Sequence, residues 1–99
     1  MRLRLYVVPT ARRQIEKAAQ WWRVNRQAAP RLFRDELRQA FELITEQPEI
    51  APIAPEVEAP NVRRFHLSRI RYHLYYRRRE DTVEVLALWH SSRGSGPDL

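Results

Sequence analysis

Apolar residues follow two different rhythms along this chain. From Leu3 to Val8 they alternate weakly among β-forming residues and Pro9 closes the run, which predicts a first strand. Thr10 then stands where its hydroxyl can cap a helix by accepting from the free amides of the first turn. Ala11, Ile15, Ala18, Ala19 and Trp22 follow at helical spacing, so one apolar stripe runs to about Arg26. Pro30 suits the first turn of a second helix. Leu32, Phe33, Leu37, Ala40, Phe41 and Ile44 mark its buried face, and Pro48 closes it. Two amphipathic helices joined by a short turn make an αα-hairpin.

Beyond Gln47 the helical period is lost. Pro48, Pro52, Pro55 and Pro60 exclude regular helix or a central strand up to Asn61. This stretch is expected to cross the domain as a loop, with Ile50, Ile53 and Val57 tucked against it. Val62–Leu67 then reads as a strand with Phe65 and Leu67 on one face and Arg64 and His66 on the other. Tyr72–Arg79 reads as another, with Tyr72, Leu74 and Tyr76 of one parity and His73, Tyr75 and Arg77 of the other. Glu80, Asp81 and Thr82 supply a turn into Val83–Trp89, which is apolar at nearly every position, as in a strand covered on both sides. The tail from His90 to Leu99 holds Ser, Gly and Pro and is expected to fray after Arg93, over about residues 94–99. The order β-α-α-β-β-β implies an α+β fold: a mostly antiparallel sheet with the N-terminal helical hairpin on one face and the other face partly open and basic.

With 99 residues and 11.9 kDa, the chain 1–99 is expected to be one domain around one core. The absence of cysteine excludes disulfides, thiolate metal sites and a cysteine nucleophile. His66, His73 and His90 lack the i, i+3 or i, i+4 spacing of a helical metal site, so no metal or cofactor is expected. Neither a signal-peptide core nor a membrane-length apolar run is visible, which points to a cytoplasmic protein with no membrane partner.

Charge sharpens the picture. Eighteen basic residues against twelve acidic ones give +6, and Lys17 is the only lysine. The loop carries Glu49, Glu56 and Glu58 and no base, whereas Val62–Arg79 contains seven arginines and no acid. Arginine's planar fork grips carboxylates and phosphates two bonds at a time. An acidic partner is expected, whether a protein segment or a nucleic acid. Trp22 continues the apolar stripe, while Trp21 sits at its border, under the loop or at an interface. The tyrosines at 72, 75 and 76 are expected to pack across strands.

The sequences Val62-Arg63-Arg64-Phe65-His66-Leu67, Tyr72-His73-Leu74-Tyr75-Tyr76-Arg77 and Val85-Leu86-Ala87-Leu88-Trp89-His90-Ser91-Ser92-Arg93, in this order after a strand, a helical hairpin and a Pro-rich loop, resemble the ParE/RelE superfamily of type II toxin–antitoxin toxins, its ParE-like branch in particular. The resemblance covers essentially the whole chain. It implies a growth-arresting bacterial toxin neutralised by a cognate antitoxin with an acidic C-terminal segment. ParE-like toxins block DNA gyrase and have no known chemistry of their own. RelE-like toxins cleave messenger RNA on the ribosome.

Metal-free RNA cleavage needs a base for the 2′-hydroxyl, cations for the phosphorane charge and an acid for the leaving oxygen. Carried over by position, the RelE-like lysine pair falls at Arg64 and His66. The middle-strand arginine falls at His73, beside Arg71, and the last-strand arginine falls near Arg93, after His90. Both lysines are therefore replaced, and the C-terminal helix with its tyrosine does not follow. Arg64, His66, His73, His90 and Arg93 remain the candidates for an endoribonuclease, the alternative reading. The favoured expectation is a gyrase-binding toxin whose Arg63, Arg64, Arg69, Arg71, Arg77 and Arg93 recruit the antitoxin, as a helix in a groove or a strand added to a sheet edge. A basic nucleic-acid-binding module would share the composition but leave the ordered motifs unexplained.

Overall fold

The computed structural model describes residues 2–99. Its elements run β1 (Arg4–Val7), α1 (Pro9–Asn25), α2 (Leu32–Glu46), β2 (Arg63–Leu67), β3 (Tyr72–Arg79) and β4 (Thr82–His90). Helix α1 starts at Pro9, where a fixed φ and a missing N–H suit the first helical position. Val8 is therefore the N-cap residue, and Thr10 does not cap the helix. Its hydroxyl accepts from Arg13 instead, at 3.3 Å. Pro30 lies in the turn before α2 rather than inside it.

The sheet order is β1-β4-β3-β2. Strands β2, β3 and β4 form an antiparallel meander, while β1 lies parallel to β4. The helical hairpin and the loop after it carry the chain from β1 across to β2 at the opposite edge, and the meander returns β4 to lie beside β1. Between β3 and β4 the register shifts: Tyr75 faces Ala87 and Tyr76 faces Val85, so Leu86 is an extra residue. This bulge lets Val83, Val85 and Leu88 all join the core beneath the helices, although their parity differs.

That core packs Ala11, Ala18 and Trp22 of α1 and Phe33, Leu37, Ala40 and Ile44 of α2 against Leu74, Tyr76, Val83, Val85 and Leu88. Small side chains at Ala11 and Ala18 let α1 approach β4 closely. Each fully buried Leu or Val here contributes about 1.5–3 kcal/mol. Tyr76 is buried as well, and its hydroxyl donates to the Pro48 carbonyl at 2.9 Å.

The opposite face of the sheet is covered in part, and His66 stays exposed on it. A second apolar cluster joins Ala54 and Val57 of the Pro-rich loop to Val62, Tyr75 and Ala87, with Leu86, Trp89 and Leu99 alongside. The loop reaches this position by pairing with the edge of β2: the Arg64 amide donates to Pro52 O at 3.0 Å and the Ala54 amide to Val62 O at 2.8 Å. Of the three loop residues expected to tuck in, Val57 is buried, but Ile50 and Ile53 are exposed. Ala51 and Ala54 take the inward positions. The tail, which its composition marks for fraying, is laid along the same face. Pro97 is buried, and Trp89 Nε1 donates to Ser95 O at 2.6 Å. A Cβ at Gly96 would stand 2.8 Å from Glu56 Cγ, so glycine permits the close approach. No helix among the described residues is long and apolar enough to cross a membrane.

Candidate functional site

Three segments remote in sequence converge beside α1: the turn between β2 and β3, the end of β4 and the C-terminal half of α1. They enclose a groove of about 810 Å³. Ala18, Trp22, Ile70, Tyr72 and Leu88 give it an apolar lining, while Lys17, Arg26, Arg69, Arg71 and Arg93 supply five cations and no carboxylate lines it. Among the described residues, Arg26, Arg69, Arg71 and Arg93 take no part in an ion pair.

Helix and sheet are locked together where the groove is built. Strand β1 ends its pairing at Val7 with Val85, and further along β4 the Leu88 amide donates to the Gln14 side-chain oxygen of α1 at 2.9 Å. From α2, the Glu36 carboxylate accepts the Ile70 amide at 2.9 Å and the Arg69 amide at 3.2 Å. One side chain thus holds the turn that carries both arginines. Arg71 sits in the left-handed region, at φ 63°, a conformation that costs a side-chain-bearing residue about 1–2 kcal/mol. Its backbone is bonded on both sides, donating to Leu67 O at 2.7 Å and accepting from the Ser91 amide at 2.9 Å.

The aromatic groups carry cations on their faces. The Arg26 guanidinium lies 5.1 Å from the Trp21 ring centre and 5.9 Å from that of Trp22, and Arg93 lies 3.7 Å from that of Trp89. Such stacking holds a guanidinium in place without neutralising it. Trp21, at the border of the apolar stripe, is 46% exposed and stands at the groove.

The six arginines expected to act together separate into two groups. Arg69, Arg71 and Arg93 line the groove. Arg63 instead donates to Glu49 O at 3.3 Å and Ala51 O at 2.6 Å, Arg64 pairs with Glu56 at 2.8 Å, and Arg77 pairs with Glu84 at 3.1 Å.

The five nuclease candidates divide as well. His90 and Arg93 are at the groove, where His90 Nδ1 meets Ser92 Oγ at 2.6 Å. Arg64, His66 and His73 line a second hollow, beside Ile50, Pro52 and Phe65. Burial lowers the His73 pKa, assisted by Arg64 and His66 and opposed by Glu56. Nearby, the Tyr75 hydroxyl donates to Glu56 Oε2 at 2.6 Å. Burial and the Glu56 carboxylate push the Tyr75 phenol up to about 12. Burial alone would raise the Glu56 pKa, but hydrogen bonds from Tyr75, its own backbone amide and Arg64 bring it below its ordinary value.

Sequence reasoning missed Gln14, Lys17, Arg26 and Glu36. A signal for two of them is present: Gln14, Lys17 and Trp21 recur at intervals of three and four, forming a strip beside the apolar stripe. Glu36 has no such signature, because its partners lie more than thirty residues away.

This architecture is shared with a solved structure. A chain of the chromosomal ParDE TA system from P. aeruginosa superposes at a TM-score of 0.61 with 16% identity, over 89% of this chain and 95% of that one. A search of curated proteins finds no match. The family model described as the ParE toxin of the type II toxin–antitoxin system parDE matches residues 5–94, which span every strand and helix of the fold except the first residue of β1. By that match the chain belongs to the ParE toxin family of type II toxin–antitoxin systems.

Proposed function

We propose that this ParE-type toxin acts in the cytoplasm by binding, arresting DNA gyrase, and is neutralised when the acidic C-terminal segment of its antitoxin occupies the groove beside α1. One observation carries the antitoxin part: five cations and no carboxylate surround an apolar, tryptophan-bordered groove. An amphipathic helix with carboxylates along its flanks satisfies both features. Such a segment is commonly disordered alone, and charge attraction speeds its encounter before it folds. Of the six arginines, Arg69, Arg71 and Arg93 are the recruiting set, because Arg63, Arg64 and Arg77 already have partners within the toxin. A strand added by the antitoxin would join at β1, since the loop pairs along the other edge of the sheet.

Purified toxin should inhibit supercoiling of relaxed plasmid by gyrase, leave messenger RNA intact, and lose this inhibition when antitoxin is added. Unimpaired supercoiling at saturating toxin would refute gyrase as the target. The second reading, a ribosome-dependent endoribonuclease, draws on Arg64, His66 and His73 beside one hollow. It requires codon-phased cuts in translated messages that disappear in His66→Ala or His73→Ala.

A further inference from the structure

Away from the groove, two imidazoles stand in a relation that neither gyrase arrest nor antitoxin capture uses. The β2–β3 hairpin makes His66 and His73 directly opposite partners in the antiparallel ladder. Their Nδ1 atoms are 3.2 Å apart and their ring centres 4.9 Å apart. His66 is exposed and both rings border the second hollow, so the pair is reachable from solvent.

That separation has a chemical meaning. Two Zn–N bonds of about 2.0–2.1 Å meeting at the tetrahedral angle place their nitrogens about 3.3–3.4 Å apart. A hydrogen bond between the rings requires one proton between two nitrogens. A metal ion replaces that proton and accepts a lone pair from each ring. Adjacent strands already hold both side chains at this distance, so little ordering is left to the ion. Arg64 stands at the same hollow, but its charge is met by Glu56 at 2.8 Å.

We propose that His66 and His73 form a two-coordinate protein site for a late first-row divalent cation, Zn2+ or Cu2+, that clips the edge strand β2 to β3. Imidazole donors suit these ions. No group of three or more His, Cys, Asp or Glu side chains capable of holding a metal exists among the described residues, so water completes the coordination sphere and the ion exchanges. This is the cross-strand counterpart of the helical spacing that the histidines lack. It stands independently of the gyrase and antitoxin readings.

The test is titration of the metal-stripped, full-length protein with ZnCl2, and separately with CuCl2, by calorimetry at neutral pH. Imidazole proton resonances are followed in parallel in the Zn2+ titration. One saturable equivalent is expected, with the His66 and His73 resonances moving and those of His90 unmoved. Removing a ligand should cost at least the about tenfold that loss of an outer-shell partner costs, so His66→Gln and His73→Gln should each weaken binding by that factor or more. His90→Gln should leave it unchanged. Absence of saturable binding, a response at His90 alone, or full affinity in both single variants would overturn the site. Should either variant fail to fold, the wild-type resonances decide.

Discussion

The carboxylate of Glu36 in α2 accepts the backbone amide of Ile70 at 2.9 Å, joining two residues separated by 34 positions. With its second oxygen on the Arg69 amide, Glu36 fixes the turn that projects Arg69 and Arg71 beside the groove. Glu36→Ala would leave the Ile70 amide in a buried setting without its partner. It should destabilise the fold by about 1–3 kcal/mol in urea melts. Antitoxin affinity should fall as well, although Glu36 does not line the groove. Glu36→Gln, which keeps an acceptor oxygen, should lose less of both.

Arg71 separates folding from function. Its positive φ is easier for glycine, so Arg71→Gly should leave stability unchanged or raise it by up to about 1 kcal/mol. The same change deletes one of the groove's five cations and should weaken antitoxin binding. Calorimetric titration beside a thermal melt checks both. A variant that binds normally would remove Arg71 from the interface.

Charge reversal should distinguish the two groups of arginines. Arg69→Glu and Arg93→Glu should slow antitoxin association, with the wild-type advantage shrinking as salt is raised, because a steering field is screened. Arg77→Glu should act differently. It sets a carboxylate against Glu84, the partner that Arg77 now meets at 3.1 Å, and should appear as lost stability with association nearly unchanged. Stopped-flow association at two ionic strengths, read beside urea midpoints, separates these outcomes.

Tyr75 and Glu56 make stability sensitive to pH at both extremes. Tyr75 is 1% exposed, and its hydroxyl bond to a carboxylate is worth about 1.5–3 kcal/mol, which Tyr75→Phe should forfeit near neutrality. Because the folded phenol is pushed up to about 12 from 10, its contribution is complete below pH 10 and is lost as pH rises toward 12. Wild type and Tyr75→Phe should therefore converge in alkali. Glu56 is shifted the opposite way, so its contribution is present above its ordinary value of 4.5 and is lost as pH falls through the lower folded value. The gap between wild type and Glu56→Gln should close in acid. Urea midpoints across pH report both limbs.

Much of the fold was legible because strand and helix periods are local. Leu32, Phe33, Leu37, Ala40, Phe41 and Ile44 announce the inward face of α2, and Tyr72, Leu74 and Tyr76 that of β3, without reference to any other segment. Helix α1 starts two residues before the position that a Thr10 cap implies, since Pro9 serves the first helical position better than Thr10 serves as a cap. The bulge at Leu86 leaves no mark in the sequence, because a continuous apolar run has no parity to interrupt. The site was legible in part: Arg69, Arg71, Arg93 and the border position of Trp21 were visible, whereas Lys17, Arg26 and Glu36 read as ordinary helix surface.

The linear order of residues by itself determined two amphipathic helices, a basic three-stranded meander and an acidic Pro-rich loop, because side-chain periodicity and proline stereochemistry act within a few residues. Only the tertiary structure decided which arginines remain available and which face of the sheet is covered. Those outcomes depend on what distant segments bring: Glu56, Glu84 and the carbonyls of Glu49 and Ala51 engage three of the six arginines, and α1 forms one wall of the groove that the other three line. A charge is assigned by sequence, but its availability is set by the neighbours that the fold supplies.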